Sequence, residues 1–116
     1  MQTLTAECVL DAKAVLGEGP VWREETQDLV WVDIESARVC CFNPATGENE
    51  TWDVGEKPGL AVPTQRGDLI LGTSVGFVRL DLASGGLSPI IDPEQDLLNN
   101  RFNDGKVDPE GRLWAG

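Results

Sequence analysis

Short apolar runs separated by turn residues fill the chain, and no stretch sustains the 3.6-residue apolar period of an amphipathic helix. Gly19-Pro20-Val21-Trp22 leads through a polar turn, Arg23 to Asp28, into the apolar run Leu29-Val30-Trp31-Val32, which ends at Asp33-Ile34. Glu35 to Arg38 turns the chain into Val39-Cys40-Cys41-Phe42. Asn43-Pro44-Ala45-Thr46-Gly47 then turns it into Glu50 to Val54. The same phrase recurs: Gly59-Leu60-Ala61-Val62-Pro63 passes through Gln65-Arg66-Gly67 to Asp68-Leu69-Ile70-Leu71-Gly72. Ser74-Val75-Gly76 leads on to Phe77 to Leu82, and Ala83 to Gly86 to Leu87 to Ile91. A third copy begins at Asp104-Gly105-Lys106-Val107-Asp108 and reaches Leu113-Trp114-Ala115-Gly116. Registering the second strand of each copy on Leu29, Leu69 and Leu113 gives spacings of 40 and 44 residues.

A four-strand unit repeating about every 40–45 residues has the length of a β-propeller blade. The continuously apolar second strand suits a strand covered on both faces. The pattern therefore predicts an all-β chain built as a β-propeller, with blade 1 at 16–54, blade 2 at 58–91 and a partial blade 3 at 100–116 of one domain. A small antiparallel sandwich has similar strand spacing but does not require the whole four-strand phrase to repeat. Propellers close with about four to eight blades. Two and a half blades thus read as the N-terminal portion of a longer protein, with closure by several associated short chains as the alternative.

Composition narrows the chemistry. Twenty acidic against nine basic residues give a formal charge of -11, which opposes binding to nucleic acid or to an anionic membrane. No run approaches the roughly 18 apolar residues of a membrane helix. The start of the chain lacks the basic and apolar regions of a signal peptide. Three cysteines, two of them adjacent, favour a reducing, cytoplasmic setting over a disulfide framework. The chain has no histidine, which removes Ser-His-Asp and Cys-His nucleophile systems, His-ligated zinc and the imidazole base. Carboxylates, amides, Arg, Lys and a hard metal ion remain.

In a propeller the innermost strand of each blade lines the central channel, so residues just before it stand at the channel mouth. Glu18 holds that place in the first copy and Asn103 in the third, which predicts that they face one cavity although 85 positions apart. Carboxylate and amide oxygens suit Ca²⁺, Mg²⁺ or Mn²⁺. The plainer alternative makes Glu18 a solvated turn residue and Asn103-Asp104 an Asx turn. For Arg101 the plainer alternative is a surface ion pair with Asp96 or Glu94. Trp22, Trp31 and Trp114 read as packing between blades, and Cys40-Cys41 as buried strand residues.

Leu16-Gly-Glu-Gly-Pro-Val-Trp22, Leu29-Val-Trp-Val-Asp-Ile34 and the seventeen residues from Asn100 to Gly116 together resemble the SMP-30/gluconolactonase/regucalcin family, in the same order along the chain. The resemblance implies a six-bladed propeller enzyme that hydrolyses sugar-acid lactones with one divalent metal ion (Ca, Zn, Mn or Mg) in its channel. It implies Glu18 as a metal ligand and Arg101 and Asn103 as substrate-binding residues, with Asp104 holding the turn. The remaining metal ligands and the proton-handling acid would fall in later blades, so no catalytic residue is expected within these 116 residues and the chain alone is expected to be inactive. A strand near Thr5 to Leu10, which in the family joins the last blade, would here lack its usual partner. The implied partner is a small lactone, with no nucleic acid, membrane or obligate protein. A non-catalytic calcium- or partner-binding propeller and a related metal-dependent esterase or phosphotriesterase are the rival readings.

Overall fold

The computed structural model describes residues 2–97 and 99–116. It contains ten strands and, among the described residues, no helix. Strands β1 (Gly17–Arg23), β2 (Asp28–Asp33), β3 (Arg38–Phe42) and β4 (Asn49–Asp53) form one antiparallel sheet in sequential order. Strands β5 (Pro58–Pro63), β6 (Leu69–Thr73), β7 (Gly76–Leu80) and β8 (Leu87–Ile91) form a second in the same order. Strands β9 (Gly105–Val107) and β10 (Leu113–Ala115) pair as a third, two-stranded sheet. The chain is all-β with the successive up-and-down sheets of a β-propeller, not a sandwich that returns to its first sheet. Residues 2–16 form no strand, so Thr5 to Leu10 are unpaired.

The core lies between the first two sheets. Val30, Val32, Ile34, Val39, Cys41 and Val54 pack as one cluster with Ala61, Leu69, Leu71, Val78 and Leu80. Alternation explains which side chains take part: on β6, Leu69 and Leu71 point into this cluster, and the intervening positions face the other way. That other face is covered too. A side chain added at Gly72 would come within 2.9 Å of Leu60 and 3.0 Å of Phe102, and the Phe102 ring stacks on Phe77 at 4.5 Å. Among the indoles, Trp31 is half-buried and donates to Asn49 Oδ1 at 3.1 Å. Trp22 and Trp114 are instead 44% and 64% exposed. Their indole N–H groups are held by neighbours in their own hairpins, Glu24 and Asp108, not by packing between sheets.

Turns repeat as faithfully as strands. Asn43 accepts from the Ala45 amide through its side chain and from the Gly47 amide through its carbonyl. Asp81 accepts from Ala83 and Gly85 in the same way. These are Asx turns closed by glycines with φ of 77° and 74°. At the tip of each first hairpin a polar pair closes the strands: Arg23 with Asp28, Thr64 with Asp68, and Asp108 with Arg112. Asp68 also takes Arg79 at 2.7 Å.

The Arg23–Asp28 pair is bidentate, at 2.7 and 2.6 Å, with both side chains 13% exposed. The hydrogen bond from Arg23 holds the Asp28 carboxyl below its ordinary range. A carboxyl lowered in the folded state stabilises fully above its unfolded value and loses that contribution as pH falls through the lowered one. Asp28→Ala should therefore cost about 2 kcal/mol at pH 7, whereas Asp53→Ala, in a pair exposed by 52% and 81%, should cost less than about 0.5 kcal/mol. Denaturant unfolding measures both, and the deficit of Asp28→Ala should shrink below about pH 4.

Burial pushes the thiols of Cys40 and Cys41 up to about 11, while Cys8 is exposed. A disulfide reagent at pH 8 should titrate one thiol rapidly in the native protein and three after denaturation. Three fast thiols would contradict this core.

Candidate functional site

The first strands of the three sheets, β1, β5 and β9, lie side by side and line a cavity of ≈ 130 Å³. Glu18 and Gly19 come to it from β1, Leu60 from β5, and Asp104, Gly105 and Lys106 from the start of β9. Glu18 is exposed and pairs with Val32, and immediately after it the pairing of β1 with β2 slips by a bulge that ends at Val21. Gly19, inside the bulge, has φ of 58°, a left-handed backbone that residues with a Cβ rarely adopt. The bulge re-aims the chain next to the carboxylate, as bulges at strand ends do.

Upstream, the chain is held by Asp33. Its Oδ1 accepts from the Leu16 amide at 2.8 Å and its Oδ2 from the Val15 amide at 3.1 Å, and Ile34 N donates to Leu16 O at 3.0 Å. Burial pushes this carboxyl up, but the hydrogen bonds from Leu16, Ser36 and Val15 outweigh burial and leave it below its ordinary value. It is an anion at neutral pH. The sequence shows Asp33 only as the polar end of an apolar run; its one signal is a carboxylate that directly follows four apolar residues.

Arg101 and Asn103 lie together in the segment just before β9. Arg101 donates through one terminal nitrogen to Phe102 O at 3.0 Å and to Asn103 Oδ1 at 3.3 Å. Among the described residues Arg101 makes no ion pair with Asp96 or Glu94; Asn100 Nδ2 donates to Glu94 Oε2 at 2.9 Å. Arg101 lines a cavity of ≈ 310 Å³ with Thr73, Asp92, Phe102 and Ala115 among its walls. Asn103 is exposed; its amide N–H and that of Asp104 both donate to Gly116 O, at 2.7 and 3.2 Å, so the pair is tied to the end of β10. Asp104 Oδ1 accepts from the Gly105 amide at 2.8 Å, which makes it the turn-holding residue. The residue that meets Glu18 across the small cavity is thus Asp104, and the Asn103 amide turns to Arg101.

Phe102 fixes this segment. Its carbonyl sits directly over Gly59, where any Cβ would collide with it. Its ring lies against Phe77. Gly59 itself falls in the slip between Pro58 and Leu60, the second-sheet counterpart of the Glu18 bulge.

As a metal centre the donor set is partial. Glu18 and Asp104 supply carboxylate oxygens of the kind hard divalent cations prefer, yet among the described residues no three metal-ligating side chains come together. The residues fit as one part of a cation site and not as a whole one.

Comparison with known proteins places the chain in a family. Regucalcin of Xenopus laevis is 35% identical over 116 residues, covering 100% of this chain and 39% of the relative. The Bacillus subtilis (strain 168) protein YvrE, whose name proposes a sugar lactone lactonase, is 37% identical over 106 residues, 91% of this chain and 36% of that protein. The crystal structure of a calcium-binding regucalcin from Agrobacterium tumefaciens superimposes with a TM-score of 0.83 at 25% identity, over 88% of this chain and 35% of that one. The chain thus spans well under half the length of these relatives. The profile of the SMP-30/Gluconolactonase/LRE-like region matches residues 16–116, and the chain belongs to that family.

Proposed function

We propose that this chain carries part of the channel of a metal-dependent lactonase acting on sugar-acid lactones, its three sheets being two blades and part of a third (16–54, 58–91 and 100–116) of a six-bladed propeller. The observation that carries the reading is the convergence of β1, β5 and β9, which opens Glu18 onto a cavity whose far wall begins at Asp104, the residue that follows the Arg101–Asn103 segment. The lactonase named among the relatives supports the substrate class.

Glu18 would hold a divalent cation through its exposed carboxylate, with further ligands from beyond these residues. When bound, such an ion polarises a carbonyl and makes hydroxide accessible near neutral pH. Arg101 would bind the substrate. Its two bonds to Phe102 and Asn103 use one terminal nitrogen, and the remaining N–H donors of the guanidinium stay available for ring oxygens. Asn103 keeps its side-chain NH₂ for a second substrate oxygen while its carbonyl steadies Arg101. The two bonds within the chain pre-set the guanidinium plane, so substrate does not have to order it. With no cluster of three ligating side chains among the described residues, the chain alone is proposed to be inactive. A calcium-binding protein without turnover is the second reading, favoured by the calcium-binding regucalcin of similar structure.

The test uses the product of the complete reading frame. Hydrolysis of glucono-δ-lactone should require Ca²⁺, Mn²⁺, Zn²⁺ or Mg²⁺ and stop with chelator. Glu18→Ala should lower kcat/KM at least about 100-fold by removing a metal ligand, as loss of electrostatic stabilisation typically does. Arg101→Ala should raise KM about tenfold with a smaller effect on kcat, about 1.4 kcal/mol of binding. Cation binding without turnover on any lactone would leave the calcium-binding reading in place.

A further inference from the structure

Asp33 and Thr73 are the two buried polar side chains among the described residues, 5% and 3% exposed. They hold the same register position in successive sheets, Asp33 opposite Gly17 and Thr73 opposite Pro58. Their bonds differ. The Thr73 hydroxyl donates to Gly76 O at 2.9 Å and accepts from the Val75 amide at 3.2 Å, so it serves its own hairpin. Asp33 also serves its own turn through Ser36, but in addition it reaches backwards and takes the amides of Val15 and Leu16 from a segment that belongs to no sheet. A hydroxyl in its place could not accept both amides in the same geometry as two separate carboxylate oxygens do.

The segment so held ends at Leu16, two residues before Glu18, and Gly17 opens β1. Beyond Glu18 the bulge with Gly19 breaks the ladder. The Glu18 backbone is therefore fixed between a carboxylate clamp on one side and a left-handed bulge on the other. Val15 itself is 70% exposed, while Leu16 packs against the core and accepts from Ile34 N, so the Asp33 carboxylate shares the anchoring of this stretch with Leu16 and is the side chain that holds Val15. Both Asp33 oxygens are committed to amides, which makes Asp33 a poor ligand in its own right.

We infer that Asp33 is a positioning residue for Glu18: by binding the Val15 and Leu16 amides it sets where the Glu18 carboxylate meets a divalent cation. The inference rests on the reading of Glu18 as a cation ligand. Asn at this position keeps one acceptor and turns an NH₂ toward the other amide, so a donor faces a donor.

Mn²⁺ titration, followed by water-proton relaxation and by calorimetry, tests it on the complete reading-frame product with wild type, Glu18→Gln, Asp33→Asn and the double variant. Asp33→Asn should weaken Mn²⁺ at least tenfold, and the double variant should bind no more weakly than Glu18→Gln alone, because both act through one carboxylate. Asp28→Asn, which removes the hairpin ion pair of the same sheet, should leave Mn²⁺ affinity within twofold and so separates positioning from general loss of stability. Amide exchange at Val15 and Leu16 should accelerate in Asp33→Asn and not in Glu18→Gln. Should Asp33→Asn fail to fold, Val15→Pro, which deletes one of the two donors at an exposed position, should weaken Mn²⁺ at least threefold. Mn²⁺ affinity unchanged in Asp33→Asn but lost in Glu18→Gln overturns the positioning role alone. Unchanged affinity in Glu18→Gln overturns the cation reading and the inference with it.

Discussion

A strand that is apolar on both faces has to be covered on both, and β6 imposes that requirement on everything around it. Leu69 and Leu71 are fully buried against the first sheet, each contributing on the order of 2 kcal/mol relative to exposure. The opposite face is closed by Leu60 and Phe102 around Gly72. The first cover fixes how the first two sheets stack. The second draws the Arg101–Asn103 segment onto β5, because Phe102 can reach its place only by laying its carbonyl over Gly59. Placement of the polar segment is therefore a by-product of apolar burial. The hydrogen bonds of Arg101 refine a position that Phe102 has already chosen.

Much of this architecture is legible in the residues. The runs Leu29 to Val32 and Leu69 to Leu71 announce second strands by being apolar without alternation, and both occur where expected. Asn43 and Asp81, each four residues before a glycine, announce the later turns. The proximity of Arg101 and Asn103 is legible because it is local, two positions apart on an extended chain. What the sequence does not show is which member of Asn103-Asp104 faces Glu18. Successive residues of an extended chain point to opposite sides, and the choice is made by the pairing of both amides with Gly116, a contact with no local signature. Asp33 is illegible for a related reason. Its distant partners are main-chain amides of Val15 and Leu16, and a main-chain amide carries no mark of its residue type. The exposed indoles Trp22 and Trp114 show the limit of reading aromatic residues as buried ones: each is fixed by a carboxylate within its own hairpin.

The candidate site joins two kinds of order. Around Glu18 the backbone is constrained on both sides, by Asp33 before it and by Gly19 after it, while the carboxylate itself remains exposed. Around Arg101 the side chain is constrained and its outer nitrogens are not.

The three hairpin-tip pairs carry a consequence for how such repeats diverge. Arg23 faces Asp28, Thr64 faces Asp68, and in the third hairpin the carboxylate and the guanidinium have exchanged strands, Asp108 facing Arg112. Attraction across the hairpin is indifferent to which side carries which sign. Duplicated units can therefore swap donor and acceptor and keep the same closure, and residue-by-residue comparison of the copies scores as two mismatches what is physically an unchanged bond.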